Sequence, residues 1–335
     1  ITVPFGLSTD YNSDWYGRYT ATKSEIHTIN INPSFASKAT DNLSVGFGLN
    51  IQYVEATIAN MLDSASICAN IQIQGGAAPA TAVANCGAAG MTVGDINDTS
   101  SQSLSGDTLN LGWNAGLQYE LDKDSRLGIA YRASIKHKLK GDVNFNRSTD
   151  LNNFLTSIGA PANNAFVDTS ITATLELPES LSASYYRDID SKLAIMADIT
   201  WTRWSNFKEL TIVFDNPFQS ASTTPENWDD SYRYSFGMKY IQDNKLTYRA
   251  GIAIDKTPIR SPEDRTPRIP GNDRTWLSLG IGYNLAADMS IDVGFSHLFV
   301  DDTDLNNTDE SFGHTVTGSY DADVNILSAQ ANFKF

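Results

Sequence analysis

Acid–base catalysis at neutral pH would need a histidine or carboxyl group held beside a nucleophile or a second carboxylate. Of the four histidines, His27, His137 and His297 fall on the apolar alternate positions of strand-like segments, and His314 follows Gly313 in a loop; none has an evident orienting partner. Asp301, Asp302, Asp304, Asp309 and Glu310 gather carboxylate oxygens, but without the glycine and spacing of a calcium loop. Cys68 and Cys86 are the only cysteines and share one long irregular segment. They suit a disulfide in an oxidising compartment, or two free thiols. Neither sits in a CxxC pair and no histidine is near, so zinc is not expected. The chain therefore reads as a non-enzyme without metal or cofactor.

The elements that carry these residues are two-faced strands. From Leu43 to Tyr53 every odd position is apolar and every even one is Ser, Gly, Asn or Gln. The pattern recurs at Leu109–Leu121, Leu246–Ile254 and Leu277–Leu285. Charged residues make up 19% of the chain, below the usual quarter, and no run approaches the roughly 18 apolar residues of a membrane helix, so any spanning structure must be a closed barrel. The formal charge of −15, from 39 acidic against 24 basic residues, argues against a nucleic-acid partner. Ile1 begins no charged and apolar leader.

Twelve strands are expected, near 1–8, 25–38, 43–58, 108–121, 126–146, 171–187, 192–214, 230–242, 246–259, 273–285, 290–300 and 319–335. Tight polar turns at Ala39–Asn42, Asp122–Ser125, Asp188–Ser191, Asp243–Lys245 and Ala286–Met289 alternate with long segments, of which 59–107 and 147–170 are the most substantial. Short periplasmic turns and long extracellular loops are the plan of an antiparallel transmembrane β-barrel of the Gram-negative outer membrane, here one domain over 1–335. On strand 126–146, Leu127, Ile129, Tyr131, Ile135 and Leu139 are expected to face lipid and Arg132, Lys136, Lys138 and Lys140 the lumen. Trp201, Trp204, Tyr185, Tyr186 and Trp276 fit aromatic girdles, and the alternation Leu327, Ala329, Ala331, Phe333 ends on Phe335, which resembles a terminal signal for outer-membrane assembly.

Three segments invite a ligand reading. Segment 59–107 carries Met61, Leu62, Ile67, Ile71 and Ile73, and is too long to be an idle connector. In 147–170, Leu151, Phe154, Leu155 and Ile158 form one helical stripe, with Asp150 placed to cap it and Gly159 and Pro161 to stop it. Pro4, Phe5 and Gly6 fit a break in the first strand, since proline donates no ladder bond and glycine tolerates a bulge.

The run GWNAGLQYELDKDSRLGIAYRASIKHKLKG at 112–141 resembles the FadL family of outer-membrane transporters for long-chain fatty acids and other hydrophobic molecules. The likeness continues through LPESLSASYYRDID (177–190), TWTRWSNFKEL (200–210), YRAGIAIDKTPI (248–259), RIPGNDRTWLSLGIGYNL (268–285) and SIDVGFSHLF (290–299). It implies a fourteen-stranded barrel plugged by an N-terminal hatch. This chain begins where the family's third strand stands and lacks the hatch and first two strands. The resemblance further implies a lateral gate at Pro4, Phe5 and Gly6, and a capture groove built from the two long loops, with Met61, Leu62, Ile71, Ile73, Phe154, Leu155 and Ile158 as its contacts. It also implies an internal ligand site lined by Asp255, whose face Arg249 shares. The family's basic positions near that site fall here on Asn60 and Thr224; Arg233 and Lys239 stand either as their substitutes or as lumen-lining charges paired with Asp292 or Glu120.

The function so implied is passive uptake of hydrophobic small molecules such as fatty acids, hydrocarbons or detergent. The expected barrel is a monomer, with outer-membrane lipid or lipopolysaccharide as its other partner. A structural or adhesive barrel and a general porin are the alternatives.

Overall fold

Aspartates set the tight turns. The Asp122 side chain accepts from the Asp124 amide at 2.8 Å, Asp190 from Lys192 and Leu193 at 2.7 and 2.9 Å, and Asp243 from Lys245 and Leu246 at 2.8 and 2.9 Å. Each is a local mimic of a backbone turn, which is why these short connections need so few residues. A computed structural model describes residues 1–159, 164–286, 288–308 and 313–334. Phe335, Pro161, Asp309 and Glu310, singled out above, lie outside the described residues.

The described elements run β1 (Gly6–Asp10), β2 (Lys23–Ile31), β3 (Ser34–Lys38), β4 (Leu43–Met61), α1 (Ser64–Gln74), α2 (Pro79–Ala88), β5 (Ser101–Glu120), β6 (Ser125–Arg132), β7 (Ile135–Asn146) and α3 (Thr149–Ile158). They continue through β8 (Thr169–Leu177), β9 (Ser180–Asp188), β10 (Leu193–Thr202), β11 (Glu209–Phe214), β12 (Ser222–Pro225), β13 (Ser231–Ile241), β14 (Leu246–Asp255) and β15 (Arg274–Ala286). β16 (Met289–Val300), β17 (Thr303–Thr308), β18 (Thr315–Tyr320) and β19 (Asp323–Phe333) complete them. Neighbours pair antiparallel, and β17 and β18 form a separate hairpin in a long connection.

Four of the twelve expected strands are each broken in two. Between β2 and β3, Pro33 cannot donate to the ladder, and between β8 and β9 stands Pro178. β6 and β7 part at Ala133 and Ser134, and β10 and β11 part at a single 3-10 turn, Trp204–Asn206. The last three breaks lie side by side and are pinned by Glu179, whose carboxylate accepts from the Tyr131 hydroxyl and pairs with Arg203 at 2.9 Å. The sheet therefore forks on β5. One leaf continues through β6, β9, β10 and β13, and the other through β7, β8, β11 and β12.

The fork inverts the faces. On β6, Leu127 and Ile129 are exposed on the outer wall, as expected. On β7 it is Lys136, Lys138 and Lys140 that point outward, while Ile135, His137, Leu139 and Val143 are buried. This corrects the expected placing of the lysines in the lumen, of Ile135 and Leu139 against lipid, and of His137 on the lipid face. The physical reason is the two-residue break, which resets the period-2 alternation. Gly112 makes the step possible: a Cβ there would stand 2.5 Å from the Ile135 side chain.

β4 shows the same change without a break. Val45, Phe47 and Leu49 face outward while Asn50 and Gln52 are buried inside; further along, Glu55 is exposed and Val54 is buried. Below this level the barrel is apolar outside and polar inside, as a lipid-facing wall must be. Above it the greasy faces turn inward, and Val54, Leu139, Leu175, Leu177, Phe207, Trp228 and Ile259 form a buried cluster. Trp204, Tyr186 and Trp276 also sit on the inner side rather than in a girdle: Trp204 packs on that cluster, the Tyr186 hydroxyl accepts from Lys239 at 2.8 Å, and Trp276 alternates with outward Leu277.

Candidate functional site

The long segment between β4 and β5 folds as two helices, which its alternation did not foretell. Asp63 caps α1, accepting from the Ala65 and Ser66 amides at 3.1 and 3.2 Å. Pro79 opens α2 with φ already helical. Cys68 and Cys86 are bonded to each other, joining the two helices. In the next loop α3 is capped by Ser148, not Asp150, which lies in the first turn, and Gly159 ends it with φ of 70°. Leu151 and Leu155 are fully buried against Leu62, Ile67, the disulfide and Met91, with Phe154 packed alongside. The loops are thus one small packed domain. Reducing the disulfide, or replacing both cysteines by serine, is expected to loosen α1 and α2 by about 3 kcal/mol, given the short loop it closes. Faster amide exchange over 64–88 with the strand amides unchanged would be the reading.

Beneath the helices lies an open groove with a cavity volume of about 1040 Å³. Met61, Leu62, Ile71 and Ile158 contribute to its walls, as do Phe166, Phe218 and Thr224. Leu155 and Phe154 support the wall from the helical core instead, and Ile73 is exposed away from the groove. Deeper, a narrow, almost wholly apolar cleft with a cavity volume of about 80 Å³ is walled by β4, β5, β7, β8 and β11. Ile58, Leu104, Leu210, Ile212 and Arg268 line both spaces, so groove and cleft adjoin.

Of the charged residues along this greasy space, Arg268 and Glu226 are the ones carried by loops, and sequence reasoning missed both as site residues. Arg268, partly buried, donates to the Lys23 carbonyl and the Ser24 hydroxyl at 3.2 Å, to the Ala59 carbonyl at 3.4 Å and to Asn60 Oδ1 at 3.3 Å. Its guanidinium is pressed down to about 10 by burial and remains a cation at neutral pH. Glu226 is buried in the connection after β12, and its Oε2 has no hydrogen-bond partner among the described residues. Burial pushes its carboxyl up to about 8, against the lowering pull of the Arg268 charge. The positive charge expected near Asn60 and Thr224 is therefore delivered from the loop after β14. The one available signal was an arginine set between prolines, Pro267-Arg268-Ile269-Pro270.

Asp255 and Arg249 do not reach the cleft. Asp255 pairs across strands with Arg274 at 3.3 Å, and Arg249 with Asp292 at 2.6 Å. Of the histidines, His137 bonds Gln52 Oε1 at 3.0 Å, His27 pairs with Glu25 at 3.0 Å, and His314 with the capping Asp63 at 3.0 Å. Each has a partner, contrary to the sequence expectation.

Phe207 lines the cleft, and an aromatic cluster packs behind it. Phe5 meets Trp204 edge-on at 5.9 Å, Trp204 meets Trp228 at 5.0 Å, and Phe207 meets Trp228 at 5.1 Å. Phe5 belongs to the break in the first strand. β1 pairs with β2 from Gly6 onward, Thr2 bridges Asn30 in isolation, and between them the Thr28 hydroxyl accepts from the Phe5 amide at 3.1 Å and donates to its carbonyl at 2.6 Å. A side-chain hydroxyl thus replaces the ladder beside Pro4.

Residues 1–335 match the family described as outer membrane protein transport protein (OMPP1/FadL/TodX). The long-chain fatty acid transport protein of Escherichia coli O6:H1 is 34% identical over 300 residues, which cover 89% of this chain and 65% of that protein. Outer membrane protein P1 of Haemophilus influenzae is 30% identical over 303 residues, with 89% and 61% covered. The chain spans about two thirds of the length of these relatives. A Pseudomonas aeruginosa FadL homologue superposes with a TM-score of 0.85 at 27% identity, over 99% of this chain and 73% of that one. The Pseudomonas putida toluene transporter TodX shares the fold, with a TM-score of 0.67 at 17% identity over 99% and 77%.

Proposed function

Since the chain belongs to the OMPP1/FadL/TodX family of outer-membrane transport proteins and is an antiparallel β-barrel of the Gram-negative outer membrane, we propose that it takes up hydrophobic small molecules by passive diffusion. It acts as a transporter rather than an enzyme, with long-chain fatty acids or similar compounds as ligands, and works as a monomer. The loops at 59–107 and 147–170 face the cell exterior and capture ligand in the groove. Ligand then slides into the apolar cleft and leaves sideways into the bilayer at the break near Pro4, Phe5 and Gly6. Each transfer is driven by apolar surface leaving water, at roughly 25 cal/mol per Å². The observation that supports the reading is the set of apolar side chains that groove and cleft share, with the aromatic cluster joined by Phe5 of the broken strand packed behind the cleft lining.

Gly6→Trp tests the exit. A Cβ at Gly6 would lie 3.8 Å from the Ile26 carbonyl, an ordinary contact, so the strand itself tolerates a side chain. The bulk is expected to fill the break and slow uptake of a labelled fatty acid roughly tenfold, which corresponds to about 1.4 kcal/mol on the barrier. Binding in detergent should be unchanged. Unaltered uptake by the variant in the full-length protein would remove the lateral exit.

A further inference from the structure

The first strand changes register where it breaks. From Asp10 back to Gly6 it pairs with β2 residue for residue, Gly6 standing opposite His27, and beyond the break Thr2 stands opposite Asn30. Four steps of the first strand thus face three of β2, so one extra residue is bulged out among Val3, Pro4 and Phe5. A wall against hydrocarbon offers the freed backbone groups no water, and each must find a partner inside the protein. Pro4 has no amide hydrogen to satisfy. Phe5 has both groups, and one side chain serves both. The buried Thr28 hydroxyl accepts from the Phe5 amide at 3.1 Å and donates to the Phe5 carbonyl at 2.6 Å. This clasp fixes where the Phe5 ring stands. Leu7, the next residue on the same strand face, lines the apolar cleft together with Ile26, its register partner on β2. The Phe5 ring continues that row toward the break, packed against the cluster behind the cleft and edge-on to Trp204. Val3, past the clasp, is 68% exposed, and Gly6 has no side chain to offer. Phe5 is thus the bulky side chain between the cleft lining and the break.

We propose that Phe5 is the plug of the lateral exit and that Thr28 is its positioning residue, so that the Thr28 hydroxyl sets the rate at which ligand leaves the cleft. The assignment rests on the sideways exit proposed above. Both bonds of the hydroxyl must break before the ring can swing out of the wall. Each is a neutral hydrogen bond of modest net worth, so the plug opens thermally, as passive transport requires.

The test measures uptake of labelled palmitate at saturation by cells carrying the full-length protein, alongside palmitate binding in detergent. Thr28→Val keeps the side-chain shape and removes both bonds. Its maximal uptake rate is expected to rise about tenfold, or about 1.4 kcal/mol on the barrier, within the net worth of two such bonds. The binding constant should stay as in the wild type, a split that general loosening of the barrel would not produce. Thr28→Ser restores the hydroxyl and should restore the wild-type rate. Phe5→Ala removes the plug itself and should show the same gain, and adding Thr28→Val to it should change nothing further. An unchanged or lower rate in Thr28→Val, a Thr28→Ser rate equal to it, or a full further gain on top of Phe5→Ala overturns the assignment. A wild-type rate in Phe5→Ala overturns it whether or not Thr28→Val folds. Gly6→Trp separates the two readings: unaltered uptake there removes the lateral exit and the plug together. Slowed uptake there with an unchanged rate in Thr28→Val removes the plug alone.

Discussion

Glu226→Gln is expected to stabilise the folded barrel at pH 8 and to flatten its stability between about pH 4.5 and 8. The carboxyl titrates near 4.5 when unfolded and near 8 when folded. Over that window the folded state holds a proton that the unfolded state has lost, so stability attributable to this group is complete below about pH 4.5 and is lost as pH rises through about 8. At 1.36 kcal/mol per unit the ceiling is of order 5 kcal/mol. Glutamine keeps the shape and has no charge to desolvate. Denaturant midpoints in detergent at pH 5, 6.5 and 8 give the measurement. Parallel curves for wild type and variant would show that Glu226 is already hydrated or paired in the folded protein.

Arg268→Ala should be the most damaging single change around the cleft. One guanidinium serves two backbone carbonyls, a hydroxyl and a side-chain amide on β2 and at the end of β4, and thereby ties the loop after β14 across the top of the barrel. Its removal leaves those acceptors to water or to nothing, at roughly 2–4 kcal/mol. The cost should grow with pH, because Glu226 loses the nearby cation that eases its ionisation. Adding Glu226→Gln to Arg268→Ala should restore part of the loss, a non-additivity that two independent sites would not show. Hydrogen exchange at residues 23–24 and 59–60 would locate the effect. A purely additive double variant would disprove the coupling.

The lower barrel was legible because it obeys one rule, alternation set by lipid on one side and water on the other. Aspartate turns punctuated it, and the long connections stood out by length. The end of the rule was also visible: Val54, Ala56 and Ile58 are apolar at even positions just after Tyr53 closes the odd series. The fork was not. Ala133 and Ser134 carry no proline or glycine, so nothing local announces that β7 reverses its faces, and only Ile135 seated over Gly112 reveals it. The loop stripe at Leu151 and Leu155 was readable as a helix, but not as a partner of the disulfide. Arg268 escaped because its partners are more than 200 positions away in sequence. Asp255 and Arg249 were chosen for their strand face alone, and neighbouring strands neutralise both within hydrogen-bond range.

Glu179 has a consequence for how the barrel is built. Its carboxylate joins the end of β6 to the end of β10, two strands separated by β9. The Tyr131 bond needs β6 beside β9 and the Arg203 bond needs β10 beside β9, so both hold together only when the three strands stand in order. One carboxylate thus checks two strand pairings at the level where the faces of the upper leaf reverse.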